Sequence, residues 1–445
     1  MKADFSRDSF DPLKRYYRVL MQQGRVQMDA DWNEQAAILL YRLECLVTDL
    51  IGPGGGPNDS FEVVAVANSR DFTVSKGRYY VGGISIENDA DLTFSAQPKV
   101  AGDPTELQPN QPYLVYLDVW EELVTSLQDS AITDIALGGL DTTARTRIVW
   151  RVRTHAVPTV KACKSLEGDK IWTDVMAAIA PPNNGMLVVR AREIAANQEI
   201  APCITPPQAR YRGPENQLYR VEIHDPGKAD DQNGATFKWS RENGSVAAAV
   251  LEGSEDSLTL SSLGRDRVGI QAGDWVEITD DLNPQQSLFR VIKPPDIMGR
   301  RVTLDIKNRP PLLNIQPDRH PVLRRWDQKP GAENIGGLKL RGGAAVVREG
   351  SAERNWLALE DGIEIQFRPA VGGSHQYRTG DYWIFPARTA NGGEVVWPLD
   401  NAGKPMPQPP MGVRHRYAPL AMINFDGAGD AVKFDCRQVL PITPQ

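Results

Sequence analysis

Apolar residues along this chain fall into two rhythms. From Asp31 to Ile51 they recur every three to four positions, and Trp32, Ala36, Leu39, Leu43, Val47 and Leu50 make one stripe on a helix. Ile38, Leu40, Tyr41 and Leu46 widen the apolar surface beyond that stripe, while Arg42, Glu44, Thr48 and Asp49 supply the polar remainder. Asp31 reads as the N-cap, with Glu34 three residues on as its capping-box partner. Gly52 suits the position just past the last turn, and Pro53 stops the helix. The predicted helix is about 30 Å long. Two packings stay open for it: against its own domain, or shared between subunits. Before it, residues 12–28 read as an extended arm with a turn at Gly24. After it, GPGGGP (52–57) reads as a linker, because it follows a helix and lacks the Lys-Ser/Thr of a phosphate loop.

The rest of the chain carries the two-residue rhythm of strands. FEVVAVA (61–67), RYYVGGISIE (78–87), YLVYLDVWEELV (113–124) and RIVWRVRTH (147–155) are rich in β-branched and aromatic residues. Residues 156–215 are weaker, with a short helix predicted at IWTDVMAAIA before Pro181-Pro182 and a strand at MLVVRAREI (186–194). LYRVEIHD (218–225) precedes ATFKWSRENGSVAAAVLE (235–252), where Asn243-Gly244 reads as a hairpin turn and Trp239 as a core residue. DWVEITDD, SLFRVI and RVTLDI follow closely and suggest a small barrel. The last third continues with short strands. Gly-Asp-aromatic occurs at 273–275 and 380–382 and reads as one way of turning into a strand. The predicted fold is mainly β: an N-terminal arm and long helix, then several small antiparallel sandwich or barrel modules. The predicted divisions are 1–57 (arm and assembly helix), 58–160 (β), 161–215 (connection with a short helix), 216–320 (β, barrel-like) and 321–445 (β).

Composition narrows the function classes. A chain of 445 residues exceeds one compact core. Its formal charge of −7 argues against broad nucleic-acid binding, where a basic stripe is expected. No apolar run is long enough to span a bilayer, and the opening MKADFSRDSF has no apolar signal region, so synthesis and assembly are expected in the cytoplasm. The four cysteines, Cys45, Cys163, Cys203 and Cys436, form no CxxC and read as reduced, buried thiols; a Cys163–Cys203 bridge stays open.

No constellation points to catalysis. His155, His224, His320, His375 and His415 show no metal-ligand spacing. The loop 224–234 holds Asp225, Asp230, Asp231 and Asn233 without the spacing or terminal Glu of a calcium loop, so a solvated turn is the simpler reading and Ca²⁺ stays open. The doublets Glu121-Glu122, Asp280-Asp281 and Glu360-Asp361 suggest glycosidase chemistry, but neighbours on a strand face opposite ways, so they form no facing pair and read as turns or exposed charges. No GxSxG elbow is present. Trp120, Trp150, Trp239, Trp275, Trp383 and Trp397 read as core, with a sugar platform as the rival. No catalytic, cofactor-binding or metal residue is assigned, and no cofactor is expected.

The string VLMQQGRVQMDADWNEQAAILLYRL (19–43) closely resembles the opening of an uncharacterised family encoded in phage-tail-like contractile injection clusters of bacteria. The resemblance continues through YLVYLDVWEELV, NQLYRVEIHD, FKWSRENGSV, GDWVEITDD, YRTGDYWIFPAR and FDCR, nearly the whole chain in order. More loosely, the arm with its Gly-Arg, the helix and the Gly-Gly strand pair GRYYVGGISI are similar to the start of some phage tail and baseplate-attached proteins. The resemblance implies a structural, non-enzymatic subunit near the baseplate end: an accessory part, fibre or cage-like extension. The implied partners are further copies of the chain, baseplate and tail proteins, and a target envelope or membrane surface. A carbohydrate-binding module and a glycan-degrading enzyme are the alternatives.

Overall fold

The structure is a computed structural model. It describes residues 1–98, 106–138, 141–160, 162, 170–181, 183–192, 211–214, 216–229, 233–264, 269–283, 287–307, 312, 315–371, 375–425 and 431–440. The chain is mainly β, in small antiparallel sheets, with the long helix near its start. It groups into two compact units, each assembled from separated stretches: Met1–Asp8, Val124–Arg145 and Pro182–Gly412 in one, Ser9–Leu123, Thr146–Pro181 and Val413–Gln445 in the other. The sequence reading divided the chain into consecutive blocks instead. Periodicity marks a strand but not its partner, and here partners lie far apart.

The unit containing Ser9–Leu123 is built on such a distant pairing. Arg416–Asn424 pairs antiparallel with Pro112–Val124, Ile423 facing Tyr113 and Ala418 facing Leu117. Val432–Asp435 and Arg145–Ala156 flank this pair. A second sheet runs Val439–Leu440, Gly54–Pro57, Gly77–Val81, Ile84–Asn88. Phe61, Phe72, Tyr79, Val115, Leu117 and Leu420 fill the common core. The predicted linker is therefore an interior strand. Gly54, Gly55 and Gly56 are buried, and a Cβ on Gly56 would lie 2.4 Å from Tyr79. Glycine is needed there for close approach, which hides the strand from a propensity reading.

The other unit has two large cores among its described residues, beside a small cluster of Leu288, Trp326 and Ala344. In one, the sheet Leu340–Arg341, Ala344–Val346, Thr236–Ser240, Asn216–Ile223, Tyr382–Arg388, Glu394–Val395 shares a core with the three-stranded sheet Leu357–Ala358, Ile363–Arg368, Met186–Ala191. Trp239 sits in that core at 1 % exposure, Tyr219 stacks on Phe385, and Phe367 meets Trp383 edge-on. The other core belongs to a six-stranded sheet ordered Leu288–Arg290, Trp275–Thr279, Val322–Trp326, Ala247–Gly253, Ser257–Leu260, Arg301–Thr303. Its edges meet: Val291 bridges Leu304, and Ile292 N–H donates to Thr303 O at 3.0 Å. This is the region read as a small barrel.

Asn243-Gly244 turns as expected, with φ of 51° and 66°. It does not close a hairpin, however. Thr236–Ser240 pairs with Asn216–Ile223, whereas Ala247–Gly253 pairs with Val322–Trp326. The turn passes the chain from one sheet to another, and Asn243 holds a third segment. Its Nδ2 donates to the carbonyls of Met1 (3.0 Å) and Ala3 (2.9 Å). The two Gly-Asp-aromatic sites do share one geometry. Gly273 and Gly380 have φ of 91° and 83°, the Asp N–H donates back to the residue three earlier, and a strand follows.

The cysteine reading needs correction. Cys45 is a free but exposed thiol, and Cys436 is disulfide-bonded. Cys163 and Cys203 lie outside the described residues, as do Asp230 and Asp231 of the oxygen-rich loop.

Candidate assembly interface

The helix predicted from Asp31 runs Asp29–Ile51 and is named α1. Met28 caps it, so Asp31 lies at the third helical position, where its carboxylate accepts the Met28 N–H at 3.4 Å. Asp29, also in the first turn, adds favourable charge at the positive end of the helix dipole. Glu34, expected to close the capping box, accepts from Ser9 Oγ at 2.6 Å instead. Gly52 ends the helix with φ of 89°, its N–H donating to Thr48 O at 2.8 Å.

Three sides of α1 have different fates. One packs on its own unit. There Arg416 pairs with the Glu44 carboxylate, and Gly83, in the turn after Gly77–Val81, approaches the Glu44 backbone; Ala30 and Ile38 are the buried residues of the helix. The second side carries the arm. Val19 N–H donates to Gln35 Oε1 at 2.7 Å, Phe10 lies 5.8 Å from Tyr41, and the Arg42 guanidinium sits 4.4 Å over Tyr17. The third side is open. Trp32, Leu39, Leu40, Leu43, Leu46 and Leu50 are all exposed, Trp32 at 61 % and Leu50 at 67 %. The arm adds Tyr16, Tyr17, Leu20, Met21 and Val26, also exposed. The apolar stripe visible in the sequence thus faces outward. Monomeric proteins rarely expose a contiguous apolar surface of more than a few hundred Å².

The residues weighed for chemistry do not converge. Glu122 pairs with Arg147 at 2.8 Å, Asp281 with His320 at 2.8 Å, and Asp280 caps its own turn. His415 Nδ1 lies 2.6 Å from Asp118, His224 is buried, and no three His, Cys, Asp or Glu gather as metal ligands among the described residues. Of the ten tryptophans, Trp32 alone is largely exposed. Two cavities, of about 160 and 200 Å³ and the second beneath the arm's turn, are each smaller than the ~300 Å³ at which ligand pockets begin.

Two charge clusters, one buried and one half-buried, escaped the sequence reading. In the first, Lys238 Nζ lies 2.6 Å from Glu277 and 3.3 Å from Glu222, Lys2 reaches Glu222 at 2.9 Å, Arg220 Nε donates to Glu222 at 2.6 Å, and Trp326 Nε1 donates to Glu277 at 3.0 Å. Burial alone would raise the Glu222 carboxyl, but Lys2, Arg220 and Lys238 hold it well below the usual range. Burial pulls the Lys2 ammonium down to about 8 against the opposing pull of Glu222. In the second, Arg241 bridges Glu360 at 2.7 Å and Asp327 at 3.5 Å, and Tyr219 Oη donates to Glu360 at 3.0 Å. Burial pushes Glu360 up to about 7. A guanidinium between the two carboxylates serves packing better than glycoside cleavage, which needs room for the sugar between them. Alternating strand positions could not reveal either cluster, because each draws on segments far apart in the chain, several of them outside strands.

No helix among the described residues is long and apolar enough to cross a membrane. No curated protein and no solved structure matches the chain. One family model matches almost all of it, over residues 1–182 and 173–440. The chain belongs to that family, DUF6519, a family of unknown function.

Proposed function

We propose that this protein is a structural subunit of a phage-tail-like contractile particle, joined to its neighbours through the arm and α1. The observation that carries the reading is the open side of α1, with its row of exposed large apolar residues. The stretch that resembles particle-encoded proteins, 19–43, is the same stretch that presents this surface. By analogy of architecture, attachment through an N-terminal element that leaves β-modules free for other contacts is the arrangement tail proteins commonly use.

An envelope-binding role would call for exposed aromatic rings on the β-modules, and the tryptophans there are buried or half-buried. The test is incorporation. Leu43→Glu/Leu46→Glu should leave the chain folded and remove it from particles purified from a producing cell. Normal incorporation of that variant would sink the proposal.

A further inference from the structure

On the open side of α1 the exposed residues Trp32, Ala36, Leu39, Leu43, Leu46 and Leu50 are separated by steps of four, three, four, three and four. That is a heptad seam, in which 32, 39 and 46 take one core position and 36, 43 and 50 the other. A helix that only rests on a globular body turns its apolar stripe toward that body. Here Ala30 and Ile38 are buried, the body takes Glu44, and the arm takes Glu34, Gln35, Tyr41 and Arg42. The seam is left to a partner outside the chain. Leu40, exposed, and Val47, half-buried, flank it on one edge, which suits a bundle better than a narrow two-stranded coil.

We propose that the partner is α1 of further copies of this chain, packed seam to seam in a coiled-coil bundle. This rests on reading α1 and the arm as an assembly surface. A leucine seam of regular period is complementary to itself, and a closed homo-oligomer is the usual way for one surface to satisfy its equals. Size agrees. Eleven exposed apolar side chains on α1 and the arm, at on the order of 100 Å² each, approach or pass the ~800 Å² per partner of a stable interface. Charge agrees as well. α1 carries Asp29, Asp31, Glu34, Glu44 and Asp49 against Arg42, whereas arm residues 12–28 carry Lys14, Arg15, Arg18 and Arg25 and no acid. The arm lies along its own helix, so its basic residues offset the acidic charge that would otherwise repel a second copy.

Sedimentation velocity on the purified full-length chain, over a concentration series, tests this. The wild type should be an oligomer. Leu43→Glu/Leu46→Glu should weaken self-association about 100-fold or more, a change that one or two lost apolar anchors commonly produce. Met298→Glu, at an exposed apolar residue elsewhere, should leave the oligomer intact. Since the seam is exposed in the single chain, circular dichroism of the variants should match the wild type. If the double glutamate variant fails to fold, Leu39→Ala/Leu46→Ala serves in its place. A monomeric wild type, or an oligomer that survives seam substitution, overturns the inference. Seam variants of such a chain that still dropped out of particles would mean that α1 docks on a different particle protein, with the assembly reading intact. Dissociation on seam substitution together with normal incorporation supports this inference and defeats the particle reading instead.

Discussion

At the scale of single residues, the cost of error is highest where charge is buried. Lys238, Glu222 and Glu277 are all within a few per cent of full burial, and their attraction is offset by the loss of hydration. Removing one partner is then far worse than removing all. Glu277→Gln should cost roughly 3–5 kcal/mol in chemical denaturation, because Lys238 and Trp326 Nε1 keep weaker or no partners; a loss below about 1 kcal/mol would show that water reaches the cluster. Trp239→Ala should cost a similar 3–5 kcal/mol through the cavity it leaves in the core, and an unchanged midpoint would contradict its burial. Glu360 gives a pH signature. Its folded-state value is raised to about 7, so the folded state holds the proton more tightly than the unfolded chain. The stabilisation is complete below about pH 4.5 and is lost as pH rises through 7, by up to about 3 kcal/mol. Glu360→Gln should remove that decline, seen as melting temperature against pH from 4 to 8. Glu222 has the opposite sign. Held low, it contributes stability above about pH 4.5 that disappears as the pH falls further.

At the scale of elements, what the sequence disclosed depended on whether a residue signals by its side chain or by lacking one. α1 was legible to within two residues because its stripe is long and regular, and Lys170–Ile179 was legible as a short helix before its prolines. Gly54–Pro57 was not, because a strand of glycines has no pattern to read, though Tyr79 and Ala418 leave it no room for anything larger. Asn243-Gly244 gave its turn but not its partners, since turn chemistry is local and strand pairing is not. The candidate interface was legible as residues, and the structure supplied their direction. One element contact can be tested directly. Gly83 has φ of 87°, and a Cβ there would lie 2.4 Å from the Glu44 carbonyl oxygen. Gly83→Ala should lift α1 from the strand pair beneath it and lower the melting temperature, with faster amide exchange along 38–48. Exchange unchanged in α1 would show that the helix is held by other contacts.

At the scale of the whole molecule, the N-terminal segment cannot be trimmed as a detachable arm. Met1–Asp8 belongs to one unit, where Lys2 enters the buried charge cluster and Arg388 donates to Ser6 O at 2.9 Å. Gly54–Pro57 is an interior strand of the other. Deleting residues 1–57 should therefore yield insoluble or unfolded protein rather than intact β-modules, as judged by circular dichroism and solubility; a cooperative melt in the truncated chain would refute this. The interface is better probed by point substitution on the seam.

The pairing of Arg416–Asn424 with Pro112–Val124 carries a consequence for how the protein is made. About 290 residues separate the two strands. At ~5–20 residues per second, a ribosome takes roughly 15–60 s to travel from one to the other. For that time Tyr113, Val115, Leu117 and Val119 wait without the strand that later covers them. Nascent chains arrested before Arg416 should be bound by chaperones and cut readily near 112–124, and the released 445-residue chain should resist. The order of synthesis, more than the final stability, then sets how much of this protein escapes aggregation.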